Sequence, residues 1–259
     1  MTGRFKPRLA AWPIDPILRK LRSLATLSEA EEAFIRSLGD RRERHAPGEE
    51  LIAEGQPARR PKFVAAGWAA CQRVLPDGRR QIFRFILPGD SLGCSARPAP
   101  PSLWSVVALT ALETVDAEPA LDLASDGRTP GLTQAFAASK LQEEQLLLDH
   151  MVRLGQQTAY ERVAHFLLEL QKRLQIAGLG DSQRFPLPLT QEILADALGL
   201  SIVHVNRTLQ QLRREHLIEL RSGVAILLDP ESLCSISDYD AAGALRIPEP
   251  RRQLANAPA

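Results

Sequence analysis

Cysteine is scarce in this 259-residue chain, which holds only Cys71, Cys94 and Cys234. With no CxxC pair and no neighbouring pair of histidines, neither a disulfide framework nor a zinc site is indicated, and no metal is expected. No run reaches the roughly 18 to 20 apolar residues that a membrane span needs. The opening residues, MTGRFKPRLAAWPIDP, carry basic side chains with no apolar segment behind them, so a cytoplasmic protein with no membrane partner is expected. A large charge excess is missing too: 32 Lys and Arg stand against 31 Asp and Glu, a net charge of +1. That excludes a histone-like polycation, and any nucleic-acid contact must come from locally placed arginines. GxSxG, HExxH, a Walker-type phosphate loop and a convincing carboxylate pair are all absent, which disfavours an enzyme. What is present is an ordinary globular composition, 44% hydrophobic and 24% charged, long enough for two cores.

The periodicities divide the chain. Residues 15–39 read as helix: Asp15 precedes Pro16, Ser28 and Glu31 have capping-box spacing, and Gly39 ends the segment. From Pro47 to Ala117 the pattern becomes short strands, EELIAEGQ, PKFVAAGWAACQRVL, RRQIFRFIL and LWSVVALTALETVDA, with VLPDGRRQIF as a hairpin. No helical crossover lies between them, so an all-β sandwich or roll is expected. A long helix is predicted over 132–154. Leu141, Gln145, Leu148 and Val152 form one stripe and Leu147, Met151 and Leu154 a second. One stripe is expected on the β domain and the other against the same helix of a second subunit, although burial of both within one subunit is the competing reading. A further amphipathic helix carries Val163, Phe166, Leu167 and Leu170, and RFPLPL reads as a short strand.

The segment LTQEILADALGLSIVHVNRTLQQLRR carries the functional signal. Thr190 caps a first helix with Leu194 and Leu198 inward, Gly199 permits a tight turn, and Ser201 caps a second helix. In that helix Val205, Leu209 and Leu212 must face the core, leaving Ile202, Val203, Asn206 and Arg207 outward near its start. This is a helix-turn-helix, whose second helix enters a DNA major groove. Arginine can pair with guanine, asparagine with adenine, and an aliphatic side chain can touch a thymine methyl. HLIELRSGVAILLD follows as two strands about Ser222-Gly223, a wing with Arg221 at its tip. Two helices packed about a glycine also occur in ligand-binding and protein-interaction modules, which remains the alternative. Glu215 and Glu219 temper the charge of Arg207, Arg213, Arg214 and Arg221.

Taken together with GQQTAYERVAHFLLEL, GEELIAEGQ and LPDGRRQIFRFILPGDSLG, this segment resembles the Crp/Fnr transcription regulators over about residues 16–233. The resemblance implies an α+β chain with an amino-terminal cyclic-nucleotide-binding-type β-roll, a long dimerisation helix and a carboxy-terminal winged helix-turn-helix. The expected division is a flexible start (1–14), the roll with flanking helices (15–131), the dimer helix (132–156), the DNA-binding unit (157–237) and a disordered tail (238–259). The resemblance implies phosphate contacts from Thr190, Gln191, Ser201, His204 and Arg221, and base contacts from Ile202, Val203, Asn206 and Arg207. Double-stranded DNA, a second copy of the chain and RNA polymerase are the implied partners. Best-known members present a glutamate to cytosine where this chain has Val203, which accepts no hydrogen bond, so their half-sites do not transfer.

The sensor half departs from the family pattern. After PGDSLG the ribose-binding glutamate is replaced by Cys94, and Ser102 or Leu103 stands where an arginine would meet the cyclic phosphate. A phosphate there lacks a charge-assisted partner, so cyclic AMP is disfavoured; Arg97 is the one candidate substitute, among prolines. An iron-sulfur cluster is disfavoured because the clustered amino-terminal cysteines are missing. Cys71 and Cys94 are left as a candidate redox pair, buried thiols being the commoner state, and haem ligation by His45 or Cys71 ranks lower. No cofactor is expected, and the effector is open.

Overall fold

The computed structural model describes residues 15–57, 60–93 and 100–239. Cys94, Arg97, the opening segment 1–14 and residues 240–259 lie outside them. Helix α1 (Asp15–Leu24) buries Ile17, Leu18 and Leu21, and α2 (Glu29–Ser37) starts at the predicted capping box. There the Glu31 N–H donates to Ser28 Oγ (3.3 Å), while the Ser28 N–H donates to Glu31 Oε2 (2.7 Å).

Eight strands follow: β1 (Arg42–His45), β2 (Glu50–Ile52), β3 (Lys62–Ala66), β4 (Ala69–Val74), β5 (Arg80–Ile86), β6 (Ser91–Leu92), β7 (Ser105–Ala108) and β8 (Leu112–Asp116). They form two antiparallel four-stranded sheets, ordered β1-β8-β3-β6 and β2-β7-β4-β5. Val64, Ala69, Cys71, Ile86, Val106 and Leu112 fill the space between them. Two predicted strands each divide into two. PKFVAAGWAACQRVL turns at Gly67, which has φ +84° and a backbone so close to Ala111 that a Cβ would lie 2.2 Å from the Ala111 carbonyl oxygen. Strand β1 starts ahead of the predicted β region. It has no buried alternation, and its hold comes from pairing with β8, with Arg42 and Arg44 each 3.2 Å from Glu113.

Short helix α3 (Glu118–Ser125), absent from the sequence reading, leads to α4 (Pro130–Gln156), which begins two residues earlier than its periodicity indicates. Its first turn is capped from outside: Glu31 Oε1 accepts from the Leu132 N–H at 3.0 Å. The face of α4 turned to its own chain corrects the stripe assignment. It is apolar in the first half of the helix, where Leu132, Ala135, Phe136 and Ala138 are buried, and largely polar beyond, where Gln142, Leu146, His150 and Arg153 are buried and Lys20 Nζ donates to Gln142 Oε1 at 2.7 Å. Leu147 and Met151, expected on the roll if Leu148 and Val152 faced a partner, are exposed as well.

The remainder is α5 (Ala159–Ile176), β9 (Arg184–Pro186), α6 (Gln191–Leu198), α7 (Ile202–Arg214), β10 (Ile218–Arg221), β11 (Val224–Leu227) and α8 (Pro230–Ser237). The last three strands form a sheet ordered β10-β11-β9. One apolar cluster runs from Trp68 and Phe85 of the roll through Phe166 and Leu170 of α5 to Leu194, Leu209 and Leu227. Tyr239, expected to lie in the tail, is buried, its ring edge-on to His165 with centroids 4.9 Å apart.

Candidate nucleic-acid interface

Caps fix the two helices. Thr190 Oγ1 accepts from the Ile193 N–H and Ser201 Oγ from the His204 N–H, each at 3.2 Å. Between them Gly199 takes φ +62°, and a Cβ there would lie 3.0 Å from Leu154 Cδ2 at the end of α4. The turn is therefore seated directly on the long helix. Arg162 of α5 completes the seat, donating to the carbonyls of Leu198 (2.7 Å), Leu154 (3.1 Å) and Gln157 (2.9 Å). Last-turn carbonyls have no partner within their own helix, so a cation there both bonds them and meets the negative end of the dipole.

Val205, Thr208, Leu209 and Leu212 are the buried side of α7. At 100° per residue the opposite side carries Val203, Arg207, Gln210 and Arg214, all exposed, with Val203 at 68%. Of the predicted base-facing residues, Val203 and Arg207 lie on the centre of this row. Ile202 and half-buried Asn206 flank it on one side, and His204 flanks it on the other. His204 is exposed and does not pack beneath the helix. Gln210 and Arg214 extend the row by one and two further turns; the sequence reading stopped at the first turns and did not assign either to the groove, although the same spacing marks both. Thr190, Gln191 and Ser201 are exposed around the start of the two helices. Arg221, exposed on the wing, forms an ion pair with Glu219 instead of standing unpaired at the tip.

On α4 the four predicted dimer residues are brought together on the outside. Leu148 is 62% exposed, Val152 55% and Leu141 47%, with Gln145 half-buried among them. Met151 adjoins them at 67%.

In the roll, Cys71 of β4 stands opposite Arg84 of β5. Burial pushes the Cys71 thiol up from its ordinary range, against the pull of Arg84. Arg84 Nη1 lies 3.0 Å from Glu143 Oε1 of α4, joining the roll to the long helix. Sequence reasoning passed over this pair, because an arginine in mid-strand, as Arg84 is in RRQIFRFIL, looks like the solvent side of a strand. Ser102 is used locally, donating to the Trp104 carbonyl at 2.6 Å, and Leu103 is 70% exposed, so neither supplies an inward cation.

A second buried network ties α5 to the roll. Arg153 pairs with Glu169, Arg173 with Glu169 (3.1 Å) and Asp90 (2.6 Å). Burial opposes charge on both carboxyls, but the surrounding cations (Arg153 and Arg173 at Glu169; Arg173, Lys20 and Arg84 at Asp90) hold both below the usual carboxylate range. Among the described residues no cluster of His, Cys, Asp and Glu suits a metal ion.

Residues 161–236 match the Crp-like helix-turn-helix domain and residues 42–117 the cyclic nucleotide-binding domain. The nitrogen fixation regulation protein FixK of Bradyrhizobium diazoefficiens is 34% identical over 216 residues, covering 83% of this chain and 90% of that one. The chain belongs to the Crp/Fnr family. Another relative of this Crp/Fnr protein is the transcriptional activator protein FnrL of Cereibacter sphaeroides, 30% identical across 67% of this chain and 70% of its own. The solved structure of FixK2 from Bradyrhizobium japonicum superposes with a TM-score of 0.66 at 28% identity, over 76% of this chain and 96% of that chain. This Crp/Fnr protein is accordingly a DNA-binding transcription regulator and not an enzyme. Among the described residues, no helix is long and apolar enough to cross a membrane.

Proposed function

We propose that this regulator acts in the cytoplasm as a homodimer on two-fold symmetric promoter sites, with RNA polymerase as its partner there. The functional units are the roll and its flanking helices (15–131), the dimer helix (132–156) and the reader (157–237). The observation that carries the reading is the exposed row on α7 beginning at Val203 and Arg207, next to two capped helix starts. Each subunit places α7 in a major groove, the two grooves about 34 Å apart along one face of the duplex. Arg207 reads guanine, Asn206 adenine, and Ile202 and Val203 thymine methyls. Thr190, Gln191, Ser201, His204 and Arg221 hold phosphates, Arg221 exchanging Glu219 for the backbone. The partner helix covers Leu141, Gln145, Leu148 and Val152.

Selection from random duplexes should return an inverted repeat. Arg207→Ala should then weaken the selected site by about 1–3 kcal/mol and relax preference at one base pair per half-site. Equal loss on random DNA would make Arg207 a phosphate contact. Absence of salt-dependent retention on any duplex would favour a protein-interaction module instead.

Cyclic AMP is not the proposed effector. Leu103 faces solvent where a cation is required, and the Arg84 guanidinium is already paired to Glu143. A calorimetric titration giving a micromolar dissociation constant for cyclic AMP would reverse this.

A further inference from the structure

Strand β5 touches the long helix α4 and two helices of the reader, α5 and α6. Near its centre Arg84 meets α4 through Glu143, and near its end the Phe85 carbonyl accepts from Arg173 of α5 at 2.6 Å. At its start Arg80 and Gln81 reach α6, the first helix of the helix-turn-helix. Arg80 Nε and Nη2 lie 2.8 and 2.6 Å from Asp196 Oδ2, with both side chains about three-quarters buried. Gln81 Nε2 donates to the Asp196 carbonyl at 2.9 Å. That carbonyl sits in the last turn of α6. Both Gly199 and Leu200 direct their N–H groups to the Ala195 carbonyl, so the Asp196 oxygen is left for a partner from outside the helix. A residue of the sensor roll supplies it.

We propose that Arg80 and Gln81 are positioning residues for DNA recognition: by gripping Asp196 they fix the tilt of the helix-turn-helix on the roll, and so set the half-site spacing the dimer accepts. The inference rests on the dimeric reading of α7. Neither residue approaches the exposed row, and their effect runs through the orientation of α6. A charge-assisted, partly buried grip holds orientation better than a lone apolar contact, because its strength falls steeply with angle.

The test measures affinity of the full chain for the selected operator and for operators with the spacer lengthened or shortened by one base pair. The wild type should prefer one spacing by roughly tenfold or more, in line with a cost of one to two hydrogen bonds for misalignment. In Asp196→Asn and in Arg80→Ala the preference should collapse towards parity, with half-site base preference and the far-ultraviolet circular dichroism unchanged. The exchange Arg80→Asp with Asp196→Arg should restore it. Gln81→Ala, which removes the hydrogen bond to the Asp196 carbonyl and no charge, should give the same collapse in smaller measure, and serves if the charge variants do not fold. Folded variants that keep the wild-type spacing ratio would overturn the proposal while leaving the reading of α7 intact. Failure of the wild type to bind any inverted repeat would overturn both.

Discussion

His150 shows how burial fixes a protonation state at a single residue. It lies on the inner face of α4, 7% exposed, with Arg153 Nη2 3.4 Å from its Nδ1. Burial first, and then the Arg153 charge, push its pKa down to about 4; His165 is depressed to about 4 by the same pair of causes. Both are neutral when folded, whereas the unfolded chain takes up protons near pH 6.5. Stability is therefore full above pH 6.5 and falls as the pH drops towards about 4, by up to about 1.4 kcal/mol per pH unit for each histidine. Asp149, which burial raises, works in the opposite direction, and Asp90 and Glu169, held down by arginines, keep their contribution through this window. Denaturant titrations at several pH values should show a shallower decline for His150→Gln than for the wild type; parallel curves would mean that His150 is charged when folded. Local chemistry of this scale is partly legible in the sequence. Ser28, Thr190 and Ser201 are visible as caps because each bonds a backbone N–H only three residues away. Arg84 and Glu143 are not visible as a pair, since nothing in their neighbouring residues records a contact made across the tertiary fold.

The long helix carries the next lesson. Its length and its apolar stripes can be read from spacing, but the inward side of its second half cannot, because there that side is the more polar one. Gln142, His150 and Arg153 meet Lys20 and Glu169 there, while Leu141, Leu148, Met151 and Val152 are left outside. Burying such a row against a second copy contributes roughly 1.5–3 kcal/mol per fully covered side chain. Leu148→Asp should accordingly convert the dimer to monomer at micromolar concentration in sedimentation equilibrium, with the far-ultraviolet circular dichroism unchanged. A variant that remains dimeric would move the interface off this face. Elements without an apolar period escape sequence reading altogether. β1 is an edge strand of charged residues held by its ladder, and α3 and α8 are two-turn helices, too short for a 3.6-residue period to stand out.

Across the whole molecule, the order of roll, long helix and winged helix-turn-helix is legible because each unit has its own period: alternating strands, a helix too long for a small core, then two helices about a glycine. The match to domain families at 42–117 and 161–236 follows that order. What the pattern hides is the apolar cluster shared by roll and reader, in which Trp68 and Phe85 pack against Phe166 and its neighbours on α5. Periodicity reports which side of an element is buried, never which element covers it.

That shared cluster makes the subunit one cooperative body. Heating should give a single calorimetric transition, with calorimetric and van't Hoff enthalpies in agreement; two resolved peaks would show roll and reader melting apart. A reader severed at residue 157 would leave Phe166 facing water where Phe85 now covers it, and should aggregate during expression instead of serving as a miniature DNA-binding protein. Evolution by shuffling is constrained in the same way: this reader cannot be transplanted onto a foreign sensor without bringing the wall it leans on.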